Sequence, residues 1–87
     1  MLQDRLNPET RAEIDTARIE IARARLRRAE QIMILRRTEL AALPCAAVER
    51  TNLIQLVHMC ERAAFNRRLE LDLLLRTRRR RGLDQRP

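Results

Sequence analysis

Leu40-Ala41-Ala42-Leu43-Pro44-Cys45-Ala46-Ala47 is the stretch in the middle of this chain where a helix has to stop. Pro44 lacks a backbone N–H and pushes Leu43 out of helical geometry. The other breakers are Pro8 near the start, and Gly82 and Pro87 near the end. Two long segments without a breaker therefore flank Pro44. Both are rich in Ala, Arg, Leu and Glu, which are good helix formers. Two helices of similar length joined by a very short turn fold back on one another antiparallel.

The outer boundaries follow from capping chemistry. Asn7-Pro8-Glu9 reads as a helix start: Asn7 caps, Pro8 suits the first helical position, and Glu9 favours the positive end of the dipole. Gly82 reads as a stop after the second helix. The expected organisation is a flexible lead over residues 1–7, a helical hairpin over 8–80, and a disordered basic tail over 81–87. Within the hairpin the expected elements are a helix over 8–42, a turn over 43–45 and a helix over 46–80. The fold class is all-α, and the expected assembly is a dimer forming a four-helix bundle.

Composition agrees. Of 87 residues, 45% are hydrophobic and 36% charged, which is not a disordered composition. Phe65 is the only aromatic, so the core is built from aliphatic residues, alanine and methionine, which suits close helix packing.

Hydrophobic phase shows which faces pack. In the first helix Ile19, Ala22, Leu26, Ala29, Met33, Leu40 and Leu43 repeat with heptad spacing, interrupted by Arg36. A second stripe runs through Ile14, Ala17, Ile21, Ala24, Leu35 and Ala42. In the second helix the seam is Leu53, Val57, Cys60, Ala64 and Leu71, ending in Leu74 and Leu75 and widened by Leu56 and Ala63. Phe65, Leu69 and Leu73 lie on nearly the opposite side. A hairpin gives each helix one neighbour, so the extra stripes ask for another. Ile14, Ile21, Leu35, Phe65, Leu69 and Leu73 are therefore the expected interaction face. A lone hairpin this small also buries little surface, which favours a homodimer, with a further protein partner expected.

With a turn centred on Pro44, residues whose numbers sum to about 88 face each other. Arg27 is then expected near Glu61, Arg18 near Glu70, Glu20 near Arg68, and Glu9 and Glu13 near Arg76 to Arg80.

The net charge is +7, all basic residues are arginine, and residues 76–87 hold six arginines against Asp84 alone. Arginine without lysine fits either a GC-rich genome or a need for guanidinium forks. Three readings of the run stand open: offset of the helix dipole beside the acidic start of the first helix, contact with nucleic-acid phosphates, or contact with an acidic protein. The nucleic-acid version uses Arg76, Arg78, Arg79, Arg80 and Arg81 together with Arg23, Arg27 and Arg37. Without aromatics such binding is directed to the backbone and not to bases. Arg25 and Arg36 are expected to snorkel along the first seam, while Arg67 and Arg28 point toward seam and stripe.

Chemistry beyond binding finds no constellation. His58 and Cys60 diverge by about 200° on a helix, and no second histidine exists, so no metal site is expected. On one straight helix Cys45 and Cys60 would lie roughly 22 Å apart, too far for a disulfide. Glycine-rich loop, nucleophile–base pair and convergent acids are all missing, so neither an enzyme nor a cofactor is expected. There is no signal-like N-terminus and no apolar run of membrane length; a cytoplasmic protein is expected.

Arg25-Leu26-Arg27-Arg28-Ala29-Glu30-Gln31, followed later by Pro44-Cys45, resembles the first helix and first-ligand region of the copper-sensing repressors, which are small all-helical oligomers. The likeness is confined to those residues. The positions where that family's downstream histidine and cysteine ligands would fall hold Glu70 and Leu74, so the resemblance implies no metal site here.

Overall fold

In a computed structural model of the chain, residues 7–84 are described, with side chains as far as Arg80. Two helices pack against each other, α1 (Pro8–Ala42) and α2 (Glu49–Asp84). Of the expected lead over residues 1–7, residues 1–6 lie outside the described part, as do residues 85–87 of the expected tail.

α1 begins as its sequence dictates. The Asn7 side chain accepts the Thr10 N–H at 2.7 Å, its backbone is extended, and Pro8 occupies the first helical turn. Such a cap is worth about 1 kcal/mol. α1 ends where Pro44 requires. Leu43 is extended (φ −79°, ψ 140°), and its N–H closes a last turn on the Leu40 carbonyl at 3.2 Å.

The connection differs from the expected three-residue turn over 43–45. It runs from residue 43 to 48, and α2 starts at Glu49, not at 46. Pro44 opens a turn instead of the helix: its carbonyl accepts the Ala47 N–H at 3.0 Å, and the Ala47 carbonyl accepts the Arg50 N–H at 3.2 Å. The extra length has a geometric reason. Packed helix axes sit about 8–10 Å apart, and six residues cross that gap with both turns intact. At the far end α2 runs past Gly82 to Asp84. A glycine stop works through a left-handed backbone, and no glycine here has positive φ.

Arg50 fastens the joint. Its guanidinium donates to the Leu40 carbonyl at 3.2 Å and lies 3.5 Å from the Leu43 carbonyl. The last turn of α1 carries no basic residue of its own, so the start of α2 supplies the cation that α1's negative end favours.

The seam follows the heptads. Ile19, Ala22, Val57 and Ala64 are buried. Leu26, Ala29, Met33, Arg36 and Leu40 on α1 are half-buried, as are Leu53, Cys60, Leu71, Leu74 and Leu75 on α2.

The register is shifted from the expected one. Glu61 pairs with Arg37 and not Arg27, Glu70 with Arg25 (3.6 Å) and not Arg18, and Arg68 with Glu30 (3.0 Å) and not Glu20. The longer connection lets α2 begin beyond the end of α1, so each α2 residue meets a later residue of α1. Among the described residues, neither Glu9 nor Glu13 pairs with Arg76, Arg78, Arg79 or Arg80.

Candidate interaction surfaces

The hairpin has two broad sides, and they differ. On one side Met33, Ala64 and Phe65 line a groove framed by two cross-helix ion pairs, Arg37–Glu61 and Glu30–Arg68. The Arg37 guanidinium donates to the Glu61 carboxylate. That bond, helped by the charges of Arg37 and His58 and opposed by partial desolvation, holds Glu61 below the usual carboxylate value of 4.5. Exposed pairs of this kind add little to stability, so their main effect is on register.

The other side is open and apolar. Near the connection a groove runs over Leu43, Leu53 and Leu56, edged by Glu39, Glu49 and Asn52. Further along, a second groove runs over Ala29, Ile32, Cys60 and Ala63, edged by Arg25, Arg28 and Arg67. Helical phase puts both on one side. Arg28, Ile32, Leu35 and Glu39 step along α1 at i, i+4, i+7 and i+11, and Leu56, Ala63 and Arg67 do the same on α2. The charged rims have some internal pairing. Arg36 holds Glu39 at 3.0 Å, Arg67 holds Glu70 at 3.1 Å, and Arg25 reaches the same Glu70.

The expected interaction residues do not form a single face. Ile21 and Leu35 are exposed, on the α1 row that helical phase sets along the open side, and Ile14 is half-buried. Phe65, Leu69 and Leu73 are exposed on α2, and Phe65 lines the ion-paired side. Ile32, Ile34, Val48 and Met59 are exposed as well and were not singled out by sequence. Ile32 had a usable signal, since it lies three residues before Leu35 on the same row.

The basic candidates also divide. Arg37 is engaged by Glu61, while Arg23, Arg27, Arg76, Arg78, Arg79 and Arg80 are exposed. The side chain of Arg81 lies outside those described. Cys45 in the connection and Cys60 at the seam are free thiols. Cys45 is not on α2, so the straight-helix spacing to Cys60 does not apply. His58 is exposed, and no group of metal-ligating residues occurs among the described residues. Among them, too, no helix is long and apolar enough to cross a membrane.

The fold and surfaces define an all-α helical hairpin with apolar faces left uncovered. No family model, curated protein or solved structure matches the chain.

Proposed function

We propose that this chain is a small, non-enzymatic protein-interaction or adaptor protein that works as a homodimeric four-helix bundle. One observation carries the reading: among the described residues nine large hydrophobic side chains stand exposed, Ile21, Leu35, Phe65, Leu69 and Leu73 among them. Exposed apolar stripes of this extent mark interaction sites. Solvation alone gives no reason for isoleucine and leucine at those positions, where charged residues would form the helix equally well. The two apolar surfaces lie on different sides, which allows self-association through one and capture of another protein through the Phe65, Leu69 and Leu73 face of α2. Free thiols at Cys45 and Cys60 suit a reducing, cytoplasmic setting.

The test is affinity capture from a lysate of the source organism, with the wild-type chain beside the Phe65→Glu, Leu69→Glu double variant. The expected result is a protein retained by the wild type and lost by the variant. Identical captures from both would overturn the partner face.

A second reading is backbone-directed nucleic-acid binding, favoured by exposed Arg76, Arg78, Arg79 and Arg80 on the last part of α2. Arg76, Arg79 and Arg80 stand at i, i+3 and i+4 and share one face of α2, a row of three cations, while Arg78 points elsewhere. A row this short offers few phosphate contacts, so the interaction reading is preferred. Fluorescence anisotropy against mixed short DNA duplexes and RNA at two salt concentrations separates the two, because phosphate binding falls steeply with salt.

A further inference from the structure

We infer that the open side of the hairpin docks on the same side of a second copy, antiparallel, with Arg28 of each copy against Glu39 of the other. The inference rests on the proposed self-association and specifies its face and direction.

The hairpin leaves much apolar surface uncovered: among the described residues nine large hydrophobic side chains stand exposed, more than a monomer usually leaves in water. Among the described residues only four hydrophobic residues, Ile19, Ala22, Val57 and Ala64, are buried, so a second layer of helices would complete a core.

The open side is the one that can accept that layer. The opposite groove is framed on both edges by pairs that cross from α1 to α2, Arg37–Glu61 and Glu30–Arg68, whereas on the open side Arg36–Glu39 and Arg67–Glu70 each lie along one helix and leave the seam between the helices uncovered. The open side is bridged across the seam at its far end, by Arg25–Glu70. Between that bridge and the connection lie Ile32, Leu35, Leu53, Leu56 and Ala63.

Charge fixes the occupant and its direction. The groove edged by Arg25, Arg28 and Arg67 has Glu70 as its neighbouring acid, leaving it basic. The groove edged by Glu39 and Glu49 has Arg36 beside Glu39, leaving it acidic. Arg50 near this end is turned onto the α1 carbonyls. The two grooves lie in line, and Arg28 and Glu39 are separated by about 16 Å along α1. A surface carrying opposite charges at two points along one line is complementary to its own reversed copy. The two-fold axis then passes between Ile32 and Leu35, with the small Ala63 beside it on α2, and the Arg28–Glu39 contact forms twice. A parallel copy would instead set Arg28 of one chain against Arg67 of the other.

The test uses Arg28→Glu and Glu39→Arg separately and mixed, by sedimentation equilibrium. Each variant alone places two like-charge pairs in the interface and should weaken dimerisation by about tenfold or more. An equimolar mixture restores both opposite-charge pairs and should recover dimers of wild-type affinity. Both positions are surface sites, and circular dichroism checks that helicity is kept. Should a variant lose helicity, spin labels on Cys45 of the Cys60→Ala chain report direction independently. The antiparallel pair puts the two connections roughly 35 Å apart, and a parallel pair puts them at one end. Variants that dimerise like the wild type, a mixture that recovers nothing, or connections found together would each overturn the inference. If the wild type dimerises and Phe65→Glu, not the charge variants, disrupts it, the face is wrong and self-association stands. A wild type that is monomeric at every concentration overturns both.

Discussion

Replacing Leu35 with glutamate should separate the two apolar surfaces by their consequences. Leu35 is 53% exposed in the hairpin, and Phe65 is 60% exposed. In a lone hairpin both side chains are about half in water, so Leu35→Glu and Phe65→Glu should each cost folding stability a similar amount, about 1 kcal/mol. In the antiparallel dimer Leu35 sits beside the two-fold axis and loses its remaining exposure, whereas Phe65 stays outside. Full burial of a leucine is worth about 1.5–3 kcal/mol, so the remaining half is worth roughly 1–1.5 kcal/mol. The contact occurs in both copies, giving about 2–3 kcal/mol per dimer, or a roughly 30- to 150-fold weaker Kd. A carboxylate left in the interface adds to that cost. Sedimentation equilibrium on each variant, with circular dichroism to confirm helicity, reads the difference. Leu35→Glu should dissociate the dimer at concentrations where Phe65→Glu leaves it intact. Equal effects, or loss of the dimer with Phe65→Glu alone, would refute the assignment of faces.

Three further outcomes are expected. Arg50→Ala removes the cation that holds the α1 carbonyls and should cost about 1 kcal/mol, lowering Tm by roughly 4–8 °C; an unchanged melt would remove Arg50 from the joint. Glu61 is held below 4.5 by Arg37, so the pair stabilises the fold above that pH, and the benefit is lost as pH falls through the depressed value. The Tm gap between wild type and Arg37→Ala should therefore close under acid conditions, and a gap that widens with falling pH would contradict the sign. Replacing Arg78, Arg79 and Arg80 with glutamine should leave dimer mass unchanged; if it lowers both the affinity for DNA duplexes and its salt dependence, the nucleic-acid reading gains instead.

The helices were legible because local chemistry sets them. Asn7-Pro8 starts α1, Pro44 ends it through Leu43, and the heptads from Ile19 and Leu53 trace the seam. The register was not legible. A proline marks where a helix stops, but the number of residues needed to cross to the next helix is set by the packing distance and by the turns after Pro44. The added length moved every cross-helix pair, so Glu61, Glu70 and Arg68 found other partners. Arg50 carried no signal, because its role depends on carbonyls that come near it only in the folded hairpin. The extra stripes were visible as periodicity, yet Phe65 and Leu35 are on different sides, which only the placement of α1 against α2 reveals.

The most direct measurement is the sedimentation-equilibrium mass of the wild-type chain over a range of concentrations. The expected mass is twice the 10.3 kDa of one chain, falling toward it only on dilution. A mass of 10.3 kDa at every concentration, with full helical signal, would mean that the hairpin is stable alone and that its open side is not covered by a second copy.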